Sequence, residues 1–312
     1  MAWQSGGVRL RPGDIASFIR LGRPLFLVAG FVLYGLGASI AAWGGAIDVH
    51  RYVLGQLVVT AFQWMTHYAN DYFDYDADRA NLTPTAWSGG SRVLVAGELP
   101  RVTALVAALT LAMIGVAFAL VLACAPGAGW RVLPIAGAML VLSWEYSAPP
   151  LRLCARGAGE LVTALVVTGL VPFFAYDLQA RAGGGGGVLL ASIAPLACLQ
   201  AAMVIAIEFP DAAGDTAAGK RTLVVRLGAA RAARLYVALG ALAYVELAIG
   251  AVTVLPARIA LAGAASFPIA AWRLARVADH RDPAAWERLG FWAVAVLMAT
   301  AIAELIAAIS LH

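Results

Sequence analysis

Asn70-Asp71-Tyr72-Phe73-Asp74-Tyr75-Asp76-Ala77-Asp78 closes an apolar run that spans residues 52–70. The pairing of that run with an abrupt acidic end decides the fold class. About 20 apolar residues carry a helix through roughly 30 Å of hydrocarbon at about 1.5 Å per residue. Carboxylates then belong at the water edge. A second stretch repeats the arrangement: Glu208-Phe209-Pro210-Asp211-Ala212-Ala213-Gly214-Asp215 closes the run 188–209. Asp71, Asp74 and Asp78 fall at i, i+3 and i+7, and Glu208, Asp211 and Asp215 repeat that spacing at one constant offset. On a continuous helix this spacing puts three carboxylates on one face, with Asp76 pointing elsewhere. Stacked like charges repel, so each face needs a positive partner. Hard divalent cations shared with an anionic ligand supply one.

The rest of the chain fits a membrane setting. Of 312 residues, 62% are hydrophobic and 13% charged, against roughly 25% charged in soluble domains. The mean hydropathy is +0.82. Nine apolar runs can be marked, near 24–46, 52–70, 102–124, 130–148, 160–178, 188–209, 234–253, 255–272 and 289–310. Their length excludes a β-barrel and predicts an all-α integral membrane bundle of nine transmembrane helices, one domain over 1–312. Residues 1–23 hold Arg9, Arg11, Asp14, Arg20 and Arg23 with no apolar core before Pro24, so no cleavable signal is expected. With nine spans, most of the Lys and Arg residues fall on the side of the N-terminus and the even-numbered loops. The other side holds four: Arg51, Arg131, Arg181 and Arg258. That bias predicts a cytoplasmic (inner) membrane protein with N-terminus and both acidic clusters in the cytoplasm and C-terminus outside. The constant offset between the clusters suggests a repeat of four-helix units, spans 2–5 and 6–9, with the clusters facing each other across a central cavity. Cys124, Cys154 and Cys198 are scattered and form no disulfide or zinc pattern. A net charge of +4 gives no sign of a nucleic-acid partner. Gly183–Gly187 reads as a flexible outer loop.

Oxygen-only donors without nearby His or Cys ligands favour Mg²⁺ or Ca²⁺ over zinc, and Mg²⁺ typically binds through one or two carboxylates and the phosphates of a substrate. Cations follow both clusters. Arg92 ends Ser88-Gly89-Gly90-Ser91-Arg92, whose glycines free backbone N–H groups for an anion. Lys220 and Arg221 follow the second cluster. Carboxylates for metal plus cations for phosphate oxygens make a diphosphate site. The loop Tyr146-Ser147-Ala148-Pro149-Pro150-Leu151-Arg152 ends its helix sharply at the prolines and adds Arg152 and Arg156. Tyr146, with Trp64, Tyr68, Tyr72 and Trp144, suits either an interfacial belt or a wall facing a cation. Asp177 and Glu304, near outer ends, are expected to reach water. Glu246 lies well inside span 7 without an obvious partner.

These motifs together resemble the UbiA superfamily of membrane prenyltransferases, over most of the chain. Asn-Asp-x-x-Asp-x-x-x-Asp after span 2, Tyr-Ser-x-Pro-Pro-Leu after span 4 and Asp-x-x-x-Asp after span 6 carry the resemblance. The stretch from Asp211 to Gly228 looks most like the 1,4-dihydroxy-2-naphthoate polyprenyltransferases of menaquinone (quinone) biosynthesis. The resemblance implies helices around a cavity open to lipid, with two Mg²⁺ between the aspartates and an isoprenyl diphosphate. Asn70, Asp71, Asp74 and Asp78 would serve one ion, and Asp211 and Asp215 the other. Lys220, Arg92 and Arg152 would hold the diphosphate, and an aromatic acceptor would be alkylated. The chain departs from that branch at Glu208, where Asn is typical, and so adds a charge facing the second metal. It departs again at Cys154, where many relatives carry Lys, and that leaves Arg152 or Arg156 to supply the charge. Residues 79–84 lack the glycine-containing pattern of the naphthoate enzymes. The alternative is a membrane terpene cyclase, which would keep the donor site and dispense with an acceptor.

Overall fold

The computed structural model describes residues 12–43, 45–180 and 185–311. Arg9, Arg11, Arg181, Gly183 and Gly184 lie outside them. The described residues form helices and no strand. In chain order these are α1 (Pro12–Leu21), α2 (Leu27–Ala41), α3 (Val49–Phe73), α4 (Tyr75–Ala80), α5 (Arg101–Ala123), α6 (Val132–Glu145) and α7 (Gly159–Thr163). A π-helical stretch (Ala164–Leu170) joins α7 to α8 (Val171–Gln179). Then follow α9 (Gly186–Glu208), α10 (Ala212–Ala217), α11 (Leu223–Leu227), α12 (Ala229–Thr253), α13 (Ala257–Ala264), α14 (Phe267–Ala275) and α15 (Trp286–Ile309).

Among the described residues, six helical segments are long and apolar enough to cross a membrane: Gly13–Ala41, Arg101–Ala123, Gly159–Gln179, Gly186–Glu208, Ala229–Thr253 and Pro283–Ile309. The expected count of nine is therefore met only in part, for three physical reasons. Gln56, Gln63, His67 and Asn70 lower the hydropathy of α3, although it has 25 residues. The 14 residues of α6 span only about 21 Å. The run 255–272 is divided between α13 and α14. The protein is an integral membrane protein. α5 and α12 carry exposed Val102, Val106, Leu109, Met113, Leu242, Val245, Ile249 and Val252, an outward apolar surface that suits lipid and not water.

The core lies along α9, which packs against α12, α15 and the π-helical stretch, while α3 packs on α5 and α2 on α8. Leu33, Tyr34, Leu36, Phe174, Leu178, Leu196 and Ile205 are fully buried there. The α2–α8 crossing needs a glycine: a Cβ on Gly37 would sit 2.0 Å from the Pro172 carbonyl oxygen. Glu304 does not reach water. It is fully buried in α15 with neither carboxylate oxygen hydrogen-bonded. Asp177 is partly exposed and pairs with Arg131 at 3.5 Å.

Candidate active site

The acidic motifs meet at one end of the bundle, and neither lies on an unbroken helix. α3 ends at Phe73, and Asp74 joins it to α4 with φ −93° and ψ 4°. α9 ends at Glu208, and Asp211 caps α10 after Pro210, where the missing proline N–H breaks the ladder. The expected single face is therefore a bend, with the middle carboxylate of each trio at the joint. α10 repeats α4 at the offset that relates the two motifs, and it has the same six-residue length.

The bends bring the two motifs together. Lys220 Nζ lies 3.1 Å from Asp74 Oδ2 and 3.1 Å from Asp215 Oδ1. Asn81 Nδ2 donates to Asp211 Oδ1 at 2.6 Å. Asn70 Nδ2 donates to Asp74 Oδ2 at 2.7 Å and to Ser147 Oγ at 3.0 Å, which ties the Tyr146–Leu151 loop to the site. Asp71 receives Arg23 Nη2 at 2.6 Å, together with the backbone N–H and the hydroxyl of Ser91. Asp78 rests over Gly90, where an added Cβ would approach its Oδ2 to 2.1 Å. α4 and α10 touch through Gly214, whose Cβ position is 2.9 Å from the Ala77 carbonyl oxygen and from Asn81 N.

Five carboxylates thus share two half-buried cations, Arg23 and Lys220. Burial pushes the Asp78 carboxyl up to about 8, with Asp71, Asp74 and Asp211 adding to the push. Burial likewise raises Asp211 to about 7, reinforced by Asp215, and it raises Asp215. Burial opposes the Lys220 ammonium, but Asp74 and Asp215 outweigh it and hold its pKa well above the ordinary lysine value. The cluster is short of positive charge. Asp74 Oδ1 is buried with no hydrogen-bond partner, and the donors are all oxygen, so the residues fit a hard divalent cation. Among the described residues no three Asp, Glu, His or Cys side chains enclose an ion by themselves. Ions here would complete their shells with oxygens from a bound anion, as Mg²⁺ does with substrate phosphates.

Other residues singled out by the sequence lie differently. The Arg92 guanidinium donates to the backbone carbonyls of Asp78 and Gly89. Arg221 is exposed, with its N–H on the Ala155 carbonyl. Arg152 is half-buried in the left-handed region with φ 47°, and Arg156 bonds the Pro150 carbonyl. Burial pushes the Cys154 thiol far above its usual range. Glu208 is buried and turned toward Val224 N at 3.5 Å and toward Glu160 of α7. The sequence reading missed Arg23, Asn81, Ser91 and Glu160. Arg23 is distant from Asp71 in the chain and reads as one more charge of the positive-inside set. Asn81 was legible only as three residues beyond Asp78.

A cavity of about 430 Å³ opens behind this cluster. Its wall is apolar where Met139, Val166, Met203 and Leu297 face it, and Arg23, Asn70 and Tyr146 mark the end nearest the carboxylates.

Residues 29–299 match the UbiA prenyltransferase family. The chain belongs to the UbiA prenyltransferase family. It is 27% identical over 221 residues to digeranylgeranylglyceryl phosphate synthase of Thermococcus gammatolerans, covering 70% of this chain and 72% of that one. It is 31% identical over 99 residues, 32% of each chain, to 2-carboxy-1,4-naphthoquinone phytyltransferase of Synechocystis. The fold matches a UbiA homologue from Archaeoglobus fulgidus bound to DMAPP and Mg²⁺. The TM-score is 0.62 at 19% identity, over 94% of this chain and 99% of that one. As a UbiA prenyltransferase, the chain presents its acidic clusters beside the mouth of an apolar cavity.

Proposed function

We propose that this UbiA prenyltransferase moves an isoprenyl group from an isoprenyl diphosphate to an aromatic acceptor, with 1,4-dihydroxy-2-naphthoate or a related quinone precursor as the leading choice. The observation that carries the donor half is Lys220, held between Asp74 and Asp215, with Asp74 bonded in turn to Asn70 of the cavity wall. A diphosphate there meets an ammonium and carboxylates short of positive charge, and its apolar tail has the cavity to enter. Asp71, Asp74 and Asp78 would hold one Mg²⁺, and Asp211 and Asp215 a second. Bound Mg²⁺ would supply charge that stabilises the departing diphosphate. Lys220 adds a fixed positive charge beside the leaving group, and Asn70 orients Asp74. Arg23 fixes Asp71, and the apolar walls keep water from the allylic cation.

An aromatic acceptor is supported by rings at one end of the cavity. Phe26 packs against His67 at 5.8 Å and edge-on to Trp87 at 6.0 Å, a surface on which a flat ring stacks. The two four-helix units, spans 2–5 and 6–9 of nine, would each contribute one acidic bend. The enzyme would sit in the cytoplasmic membrane with this end facing the cytoplasm, as the charge bias favours.

A second reading replaces the ring with a glycerol-based lipid, because the relatives that align over most of the chain are digeranylgeranylglyceryl phosphate synthases. The test is purified protein with geranylgeranyl diphosphate and Mg²⁺, offered each acceptor in turn and analysed by mass. Prenylated naphthoate confirms the proposal, and a prenylated glyceryl lipid alone replaces it. Terpene products without any acceptor would identify a cyclase. Full diphosphate release by Asp74→Ala would overturn the donor site.

A further inference from the structure

Prenyl transfer to a hydroxylated acceptor must dispose of a proton. The donor C–O bond breaks with its electron pair left on the diphosphate. The acceptor's nucleophilic atom supplies the pair for the new bond, and an acceptor O–H gives up its proton. Some group in the cavity must take it.

Three residues that line the cavity among those described carry titratable side chains: Arg23, His67 and Tyr146. Arg23 is already protonated and committed to Asp71 at 2.6 Å. A phenol such as Tyr146 already carries its proton at neutral pH and cannot take up another. His67 remains. It lies on α3 three residues before Asn70 and four before Asp71, and hence on the same helix face. It is half-buried, it packs on Phe26 at 5.8 Å, and its Nε2 is buried without a hydrogen-bond partner. The other polar side chains near it are spent: Gln63 Nε2 donates to the Phe26 carbonyl, Thr66 Oγ1 to the Phe62 carbonyl, and Asn70 Nδ2 to Asp74 and Ser147.

We propose that His67 is a catalytic residue for the acceptor half of the reaction, the base that receives the acceptor's hydroxyl proton as the carbon bond forms. This rests on the transferase reading of the site and names its acceptors as molecules with an ionisable hydroxyl. The donor half does not need His67. Among the described residues, none of the contacts that hold Asp71, Asp74, Asp211, Asp215 and Lys220 together involves the imidazole.

The experiment uses full-length protein with geranylgeranyl diphosphate and Mg²⁺, and takes 1,4-dihydroxy-2-naphthoate and geranylgeranylglyceryl phosphate as separate acceptor probes. His67→Ala should lower kcat by about 10²-fold or more, the range of general-base catalysis, with the donor KM unchanged. Added imidazole should restore turnover to His67→Ala. His67→Asn should keep the thermal melting of the wild type and stay slow. Wild-type kcat in either variant overturns the proposal, as does a folded His67→Ala that imidazole does not rescue. A wild type that turns over neither acceptor overturns the proposed function, and the base role with it. A defect confined to the variants bears on His67 alone.

Discussion

Among the described residues, three that are not glycine hold positive φ, and all three are arginines beside the site: Arg23 at 45°, Arg92 at 65° and Arg152 at 47°. Each left-handed backbone costs of order 1–3 kcal/mol, so each must be held by its surroundings. Arg23 is held by Asp71 and Arg92 by two backbone carbonyls. Lys220 does a different job, because its ammonium pairs with carboxylates of both motifs. Lys220→Met should lower kcat by about 10²–10³-fold, as loss of one preorganised transition-state contact does. Stopped-flow or endpoint diphosphate release would measure it. The raised carboxyls set a pH window. Without a bound cation, Asp78, near 8, is mostly protonated at neutral pH, and Asp211, near 7, is about half protonated. A divalent cation must displace those protons. Mg²⁺ affinity should therefore rise as pH increases from 6 through 8 and level off above. Calorimetry in buffers of different ionisation enthalpy should detect proton release on binding near pH 7.5.

At the scale of elements, the site depends on how closely α4 and α10 approach. Gly214 faces backbone atoms, which cannot rotate away as a side-chain tip can. Gly214→Leu should force the two short helices apart, with a cost of about 1–3 kcal/mol from overpacking. Thermal melting should fall, and Mg²⁺ affinity should fall with it. Gly219→Ala, where nothing lies within 4 Å but φ is +73°, should cost stability while leaving the α4–α10 contact intact. The carboxylates themselves were legible in the sequence, because spacing and charge are local properties. The bends at Asp74 and Asp211 were less so. A short-range i, i+3, i+7 pattern cannot distinguish one helix from two joined at a capping residue, although Pro210 was a visible warning. Glu208 completes the pattern on paper, yet it turns to Val224 N and Glu160. That partner comes from α7, and no spacing rule reaches it.

At the scale of the whole molecule, the apolar runs anticipated the helices closely because burial in lipid acts on whole segments. The run 52–70 became α3, 102–124 became α5, and 188–209 became α9. The cavity was not legible. Its wall combines α2, α3, α6, the π-helical stretch, α9 and α15, and only tertiary packing sets which faces meet there. Orientation makes its own prediction. Cys124, at the end of α5, is exposed, whereas Cys154, beside the site, is buried. If the charge bias orients the protein, a membrane-impermeant maleimide should label Cys124 from outside intact cells. Labelling only after permeabilisation would reverse the topology.

The lysine between the two motifs also constrains how such a chain can change over time. Asp74 and Asp215 come from opposite halves of the sequence, yet they share one ammonium at 3.1 Å each. A mutation at either aspartate alters the charge felt by the other, so neither motif is free to drift alone. A chain that lost Lys220 would have to replace its charge or revise both motifs together, so substitutions at 74, 215 and 220 should be coupled.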